Sequence, residues 1–151
     1  MSIITHWIIF DKGESMTKLI NPSTPGKEKN RLSKAIIITI REFMRMHETN
    51  DRTNDMLAFI ILALEEIASG IDRSVEAWEK RGYWVKADKY RMEWQWTEKT
   101  AERLRHAFSS DQEVEITTEL IQIMAKFSKI KVSDKHRMGQ PWIGAFRKYQ
   151  E

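Results

Sequence analysis

The 151-residue chain contains no cysteine, only three prolines and only six glycines. Without thiols there is no disulfide scaffold, no thiolate zinc site and no cysteine nucleophile. With so few turn residues an all-β domain is excluded, and glycine is too scarce to build a phosphate-cradling loop. Neither the Walker pattern Gly-x-x-x-x-Gly-Lys nor the nucleophile elbow Gly-x-Ser-x-Gly occurs. Glu-x-x-His, which a ferritin-like di-iron bundle needs on two helices, is also missing. The apolar run from Ile8 to Phe10 has no basic flank and no small-residue cleavage site. It falls far short of the ~18 residues of a span, so neither a leader nor a membrane segment is expected and the chain reads as cytoplasmic.

What is present points to helix. Hydrophobic residues make up 41% and charged residues 31% of the chain, too apolar a mixture for disorder. The length suits one domain with a single core. Lys12-Gly13-Glu14 can be encoded by AAA-GGA-GAG, a ribosome-binding sequence just upstream of the Met16 codon. Residues 1–24 are therefore either an extended N-terminal arm over the bundle or a stretch preceding a natural start at Met16. Asn21-Pro22, Thr24-Pro25 and Gly26 mark a loop that stops where helical periodicity begins.

Four apolar stripes follow with helical spacing. Leu32, Ala35, Ile36, Ile40, Phe43 and Met44 predict a helix over 25–47, with Thr24 as N-cap and Pro25 in its first turn. After a polar break over 48–54, Leu57, Ile60, Ile61, Leu64, Ile67, Ala68, Ile71, Val75 and Trp78 predict a buried helix closed at Gly82. Ala87, Tyr90, Trp94, Thr97, Ala101, Leu104 and Phe108 predict a third helix. Ser110 and Glu113 have capping-box spacing and open a fourth, with Ile116, Leu120, Ile123, Met124, Phe127 and Ile130 inside. The expected fold is all-α: a four-helix bundle over 25–131, with the N-terminal arm before it. A basic aromatic tail over 132–151 follows, in which Gly139-Gln140-Pro141 precede a short aromatic C-terminal helix.

Charge is distributed unevenly. Residues 126–151 carry seven Lys or Arg against two acids, whereas residues 1–125 carry eighteen against twenty, so the net +3 resides in the tail. Residues 78–105 hold four of the six tryptophans, two of the three tyrosines and eight Lys or Arg. Cations meet phosphates and flat aromatic faces stack bases, so this combination suits single-stranded nucleic acid. Tyr90, Trp94, Leu104 and Phe108 belong to the core stripe. Lys86, Lys89, Trp96, Lys99 and Arg103 fall on or near another face, with Trp96 the candidate stacking residue. Lys131, Lys135 and Arg137 extend the basic surface beyond the fourth helix. The expectation is one continuous positive strip with an exposed indole. Against it stands the packing of Trp96 on another helix, with the charges of Lys99 and Arg103 solvated and offset by Glu98 and Glu102 on the same helix. In the tail, Trp142, Ile143, Phe146 and Tyr149 form an aromatic face suited to docking on another subunit or a second copy. Glu76 and Glu79 at three-residue spacing supply one carboxylate pair of the kind that holds magnesium in helical nucleotide pyrophosphohydrolases. The second spaced pair is missing.

With cationic and aromatic residues gathered on the third helix and the tail, residues 25–131 resemble the small all-helical subunits of type III CRISPR effector complexes. That resemblance implies a non-catalytic subunit without cofactor or metal that contacts a strand of a guide-RNA complex through its backbone. On this reading Lys86, Lys89, Lys99 and Arg103, or the tail cations, meet phosphate, while Trp96 or the tail aromatics stack or join subunits. The alternatives are a protein-interaction module acting through the tail and a magnesium-dependent pyrophosphohydrolase.

Overall fold

The computed structural model describes residues 24–151; the N-terminal arm and the Met16 start lie outside the described residues. Among the described residues every regular element is a helix. α1 spans Pro25–Arg45, α2 Asp51–Lys80, α3 Trp84–Trp94, α4 Trp96–Ser109, α5 Glu113–Lys126 and α6 Ala145–Gln150.

α2 is the axis on which the others pack. It begins with a capping box: the Asn50 side chain accepts from the backbone N–H groups of Arg52 and Thr53, and the Thr53 hydroxyl accepts from the Asn50 N–H at 2.8 Å. From Met56 to Leu64 it is buried on almost every side. A helix apolar all round must be covered all round, and α1, α3, α4 and α6 each pack against it. α1 starts at Thr24, whose hydroxyl accepts from Lys27, and its β-branched run Ile36–Ile40 is wholly buried. The Thr39 hydroxyl within that run donates to the Ala35 carbonyl at 2.7 Å, so no polar atom there is left dry. Gly70 of α2 lies against Pro25; a Cβ at Gly70 would stand 3.5 Å from the Pro25 ring, so the two helices run close there.

The end of α2 is a Schellman motif. Tyr83 N–H bonds the Trp78 carbonyl, Gly82 N–H bonds the Glu79 carbonyl, and Gly82 takes φ +82°. The chain therefore turns at Gly82, as its sequence predicts. The expected single third helix is instead two. α3 and α4 are separated at Gln95, and the Thr97 hydroxyl donates to the Trp94 carbonyl at 2.7 Å, a back-bond that bends helices. The apolar stripe survives the break, since Ala87, Thr97, Ala101 and Leu104 are all buried.

The Ser110–Glu113 capping box does not form. α4 closes with a second Schellman pattern, Gln112 N–H to Ala107 O and Asp111 N–H to Phe108 O, with Asp111 at φ +53° in the place glycine usually takes. Ser110 is thus used as the C-cap of α4, and α5 opens at Gln112 without a side-chain cap.

The tail is not a free arm. Pro141 and Trp142 are buried, Trp142 to 3%, and α6 lies on α2. Asp55 of α2 caps α6: its carboxylate accepts from Gly144 N–H at 3.3 Å and from Phe146 N–H at 2.9 Å. Phe146 and Tyr149 both close on Phe108, with ring centroids 5.7 and 5.6 Å away. Arg105, bidentate to Glu65, lies 4.5 Å over the Tyr149 ring. Three of the four residues assigned to partner docking, Trp142, Phe146 and Tyr149, are therefore seated on their own chain, and only Ile143 faces outward. The reason is local: a capped helix end and a shared aromatic contact are already supplied by α2 and α4.

Two outcomes test this docking. Asp55→Ala should raise protease cleavage and amide exchange within 141–150 and destabilise the protein by about 1–3 kcal/mol, as loss of a charged acceptor does, whereas Asp72→Ala on the exposed face of α2 should change neither. Burial raises the Tyr149 phenol above its usual pKa, against the lowering effect of Arg105. A raised folded-state pKa contributes stability that is present below the ordinary tyrosine range and is lost as pH rises through the folded value. Exchange in the tail should therefore increase at strongly alkaline pH in the wild type, and Tyr149→Phe should remove that component of the rise.

Candidate nucleic-acid interface

The residues that could hold a strand gather where α2 turns into α3. Because Gly82 ends α2 sharply, Tyr83 and Trp84 emerge at the corner before α3 can settle on the core, and α3 buries only Ala87. Tyr83 is 54% and Trp84 60% exposed, and Val85 beside them is also exposed. Behind the corner runs a shallow groove of about 520 Å³, lined by Trp78, Val85, Lys86, Lys89, Tyr90 and Glu93.

The floor of the groove is aromatic, and one of its two cations, Lys86, is placed on a ring face. Trp78 and Tyr90 meet at 4.9 Å in a tilted pair, and the Lys86 ammonium lies 4.4 Å over Trp78. On the α1 side Lys29 donates to the Tyr90 hydroxyl at 2.9 Å and lies 4.5 Å from the Trp94 ring centre. These geometries suit cation–π attraction, which orients a lysine without neutralising it.

The carboxylates nearby are largely engaged. Glu76 pairs with Lys80 at 3.3 Å, while Arg91 holds Glu79 at 3.0 Å and Asp88 at 2.6 Å. Both carboxylates raise the Arg91 pKa, Asp88 more strongly than Glu79. Arg81, Lys86 and Lys89 form no ion pair among the described residues, and neither does Glu93, the one acid on the groove wall. Glu76 and Glu79, the candidate magnesium pair, are thus occupied by separate cations. Among the described residues no three His, Asp or Glu side chains are grouped to hold a metal ion.

The structure divides the sequence-predicted set. Lys86 and Lys89 belong to the groove. Trp96 does not stand out from the helix as a free indole: it stacks on Trp94 at 6.2 Å and meets Phe127 edge-on at 5.3 Å, so it is half-buried packing. Lys99 is exposed but sits in a separate hollow beside Asp72 and Glu98. Arg103 is tied bidentately to Glu119, at 2.7 and 3.3 Å, because α5 packs alongside α4. Lys131, Lys135 and Arg137 are exposed on the loop after α5, but that loop is pinned to the other half of α1, where Arg41 donates to the Val132 carbonyl. Arg41 lies about 18 Å along α1 from Lys29 of the groove. The continuous strip expected from sequence is therefore broken into a corner, a loop and a neutralised arginine.

Tyr83, Trp84 and Arg81 were not separable from their neighbours by periodicity alone. The signal that marks them is positional: large aromatic residues immediately after a helix-ending glycine have no helix face to pack against. Compared with protein families, with curated proteins and with solved structures, the chain matches none of them.

Proposed function

We propose that this protein is a non-catalytic helical subunit that binds single-stranded nucleic acid, RNA in the first instance, at the corner between α2 and α3. The observation that carries the reading is the exposure of Tyr83 and Trp84 beside Arg81, Lys86 and Lys89, at a place where Glu76, Glu79 and Asp88 are already paired. Exposed rings are costly in water and gain when a base stacks on them, by ~1–3 kcal/mol per base. Unpaired lysines and arginine supply the phosphate contacts, and releasing counterions makes that part of the affinity salt-dependent. Nothing in the groove calls for base-edge readout, so binding is tolerant of sequence. A ribonucleoprotein assembly, of the kind the CRISPR effector resemblance implies, is the setting proposed for such a subunit in the cell. The loop cations Lys131, Lys135 and Arg137 form a second, weaker phosphate contact in this scheme.

A filter-binding titration with short single-stranded RNA tests it. Binding should weaken steeply between ~50 and 200 mM salt. The double variant Tyr83→Ala, Trp84→Ala should lose affinity by about 10- to 100-fold, as removal of stacking platforms does. Lys86→Gln with Lys89→Gln should flatten the salt dependence. Arg103→Gln, which removes a cation already neutralised, should leave binding unchanged. No retention at low salt, or retention indifferent to the corner variants, would overturn the proposal.

A further inference from the structure

α5 carries two apolar faces, and only one of them is used. At about 100° per residue Ile116, Leu120 and Ile123 share one side of the helix, and all three are buried. Val114, Thr118, Ile121 and Ala125, spaced by four, three and four residues, share the opposite side. All four are exposed, Val114 to 74% and Ile121 to 58%. A 4-3-4 alternation is the seam spacing of paired helices, and its small members, Thr118 and Ala125, permit close approach of a second backbone.

The charges beside this seam specify the partner. Glu115 lies on one flank near the start of α5 and Lys126 on the same flank at its end. Neither forms an ion pair among the described residues; Lys126 lies 6.0 Å from the Trp96 ring centre, and Glu119 on the same side is held by Arg103. If a second α5 lies antiparallel across the seam, Val114 faces Ala125 of the second copy, Thr118 faces Ile121, and Glu115 comes beside Lys126, each contact occurring twice by symmetry. A parallel pair would leave the two Glu115 side chains at one end and the two Lys126 side chains at the other, on opposite flanks of the seam, so that neither meets an opposite charge. The surface complements itself in one direction only.

We infer that two copies of this chain associate through antiparallel packing of their α5 helices, with Ile121 at the centre. The seam from Val114 to Ala125 is about 17 Å long, so the interface is small and the association depends on concentration. It does not involve the α2–α3 corner and stands whether or not that corner binds a strand. It also moves self-association from the aromatic tail, which is consumed within the chain, to a helix face.

Sedimentation equilibrium of the full chain without nucleic acid, over a wide concentration range, should show a monomer–dimer equilibrium. Ile121→Glu should weaken the dimer by about tenfold or more, the range of a central apolar anchor, while circular dichroism stays unchanged because the residue is exposed. Thr118→Glu provides the same test at a second position. Glu115→Lys and Lys126→Glu should each weaken the homodimer, and an equimolar mixture of the two should restore association. Because the chain has no cysteine, orientation can be read directly. Under mild oxidation a mixture of Val114→Cys and Ala125→Cys chains should cross-link, and Val114→Cys alone should not. A monomer at every concentration, a dimer indifferent to Ile121→Glu and Thr118→Glu, or cross-linking of Val114→Cys with itself would overturn the inference.

Discussion

The burial of α2 governs this fold. A helix whose residues from Met56 to Leu64 are apolar on nearly every side has no solvent face to offer, so stability depends on enclosing it. α1 covers it along one length, the bent pair α3 and α4 along another, and α6 closes a gap between them. The polar features of the interior follow from that demand. The Asn50–Thr53 box satisfies the donors at the start of α2, the Thr39 hydroxyl bonds its own helix, and Asp55 receives the start of α6. Elements that cover a hub need only one apolar stripe each, which leaves their outer faces free for other use.

Those outer faces carry the exposed rings, cations and apolar side chains of the molecule. α3 fully buries only Ala87, with Tyr90 and Trp94 half-buried beside it, and α5 buries Ile116, Leu120 and Ile123. The first presents rings and cations at its N-terminal corner, and the second an apolar seam flanked by charges of opposite sign. In the proposed scheme one face meets a polyanion and the other a second copy, and the two faces use different helices. A subunit with two such independent surfaces can bind a strand and a neighbour together, and the effective concentration of the second contact then adds to the first.

The sequence made some of this legible and hid the rest for physical reasons. Periodicity located the all-α architecture, the hub helix and the turn at Gly82, because an apolar stripe and a left-handed glycine each encode a local geometry. It missed the division at Gln95, since the apolar stripe runs through it intact, although the Thr97 hydroxyl bonds back to the Trp94 carbonyl there. It misplaced the cap of α5, because Ser110 had two helix ends to serve and Asp111 adopted the left-handed turn that ends α4. Among the site residues Lys86 and Lys89 were correctly located on an exposed face of α3. For Trp96 and Arg103 the sequence left strand contact and packing or pairing both open, because their partners, Phe127 and Glu119, come from later in the chain, where spacing carries no information about contact. The aromatic tail looked like a docking element for the same reason: the carboxylate that receives it is nearly ninety residues earlier.

That distance has a kinetic meaning. The Asn50–Thr53 capping box, the turns and the helix pairs on either side of α2 are contacts between neighbours in sequence and can form as soon as the segments exist. The bonds from Gly144 and Phe146 to Asp55 span 89 and 91 residues, and like the bond from Arg41 to the Val132 carbonyl they close one of the longest loops among the bonds described. The aromatic tail is accordingly expected to lock after the contacts around α2 have formed. A chain caught without it would show Phe108 and the flank of the hub to solvent, an adhesive surface that persists for as long as the final closure takes.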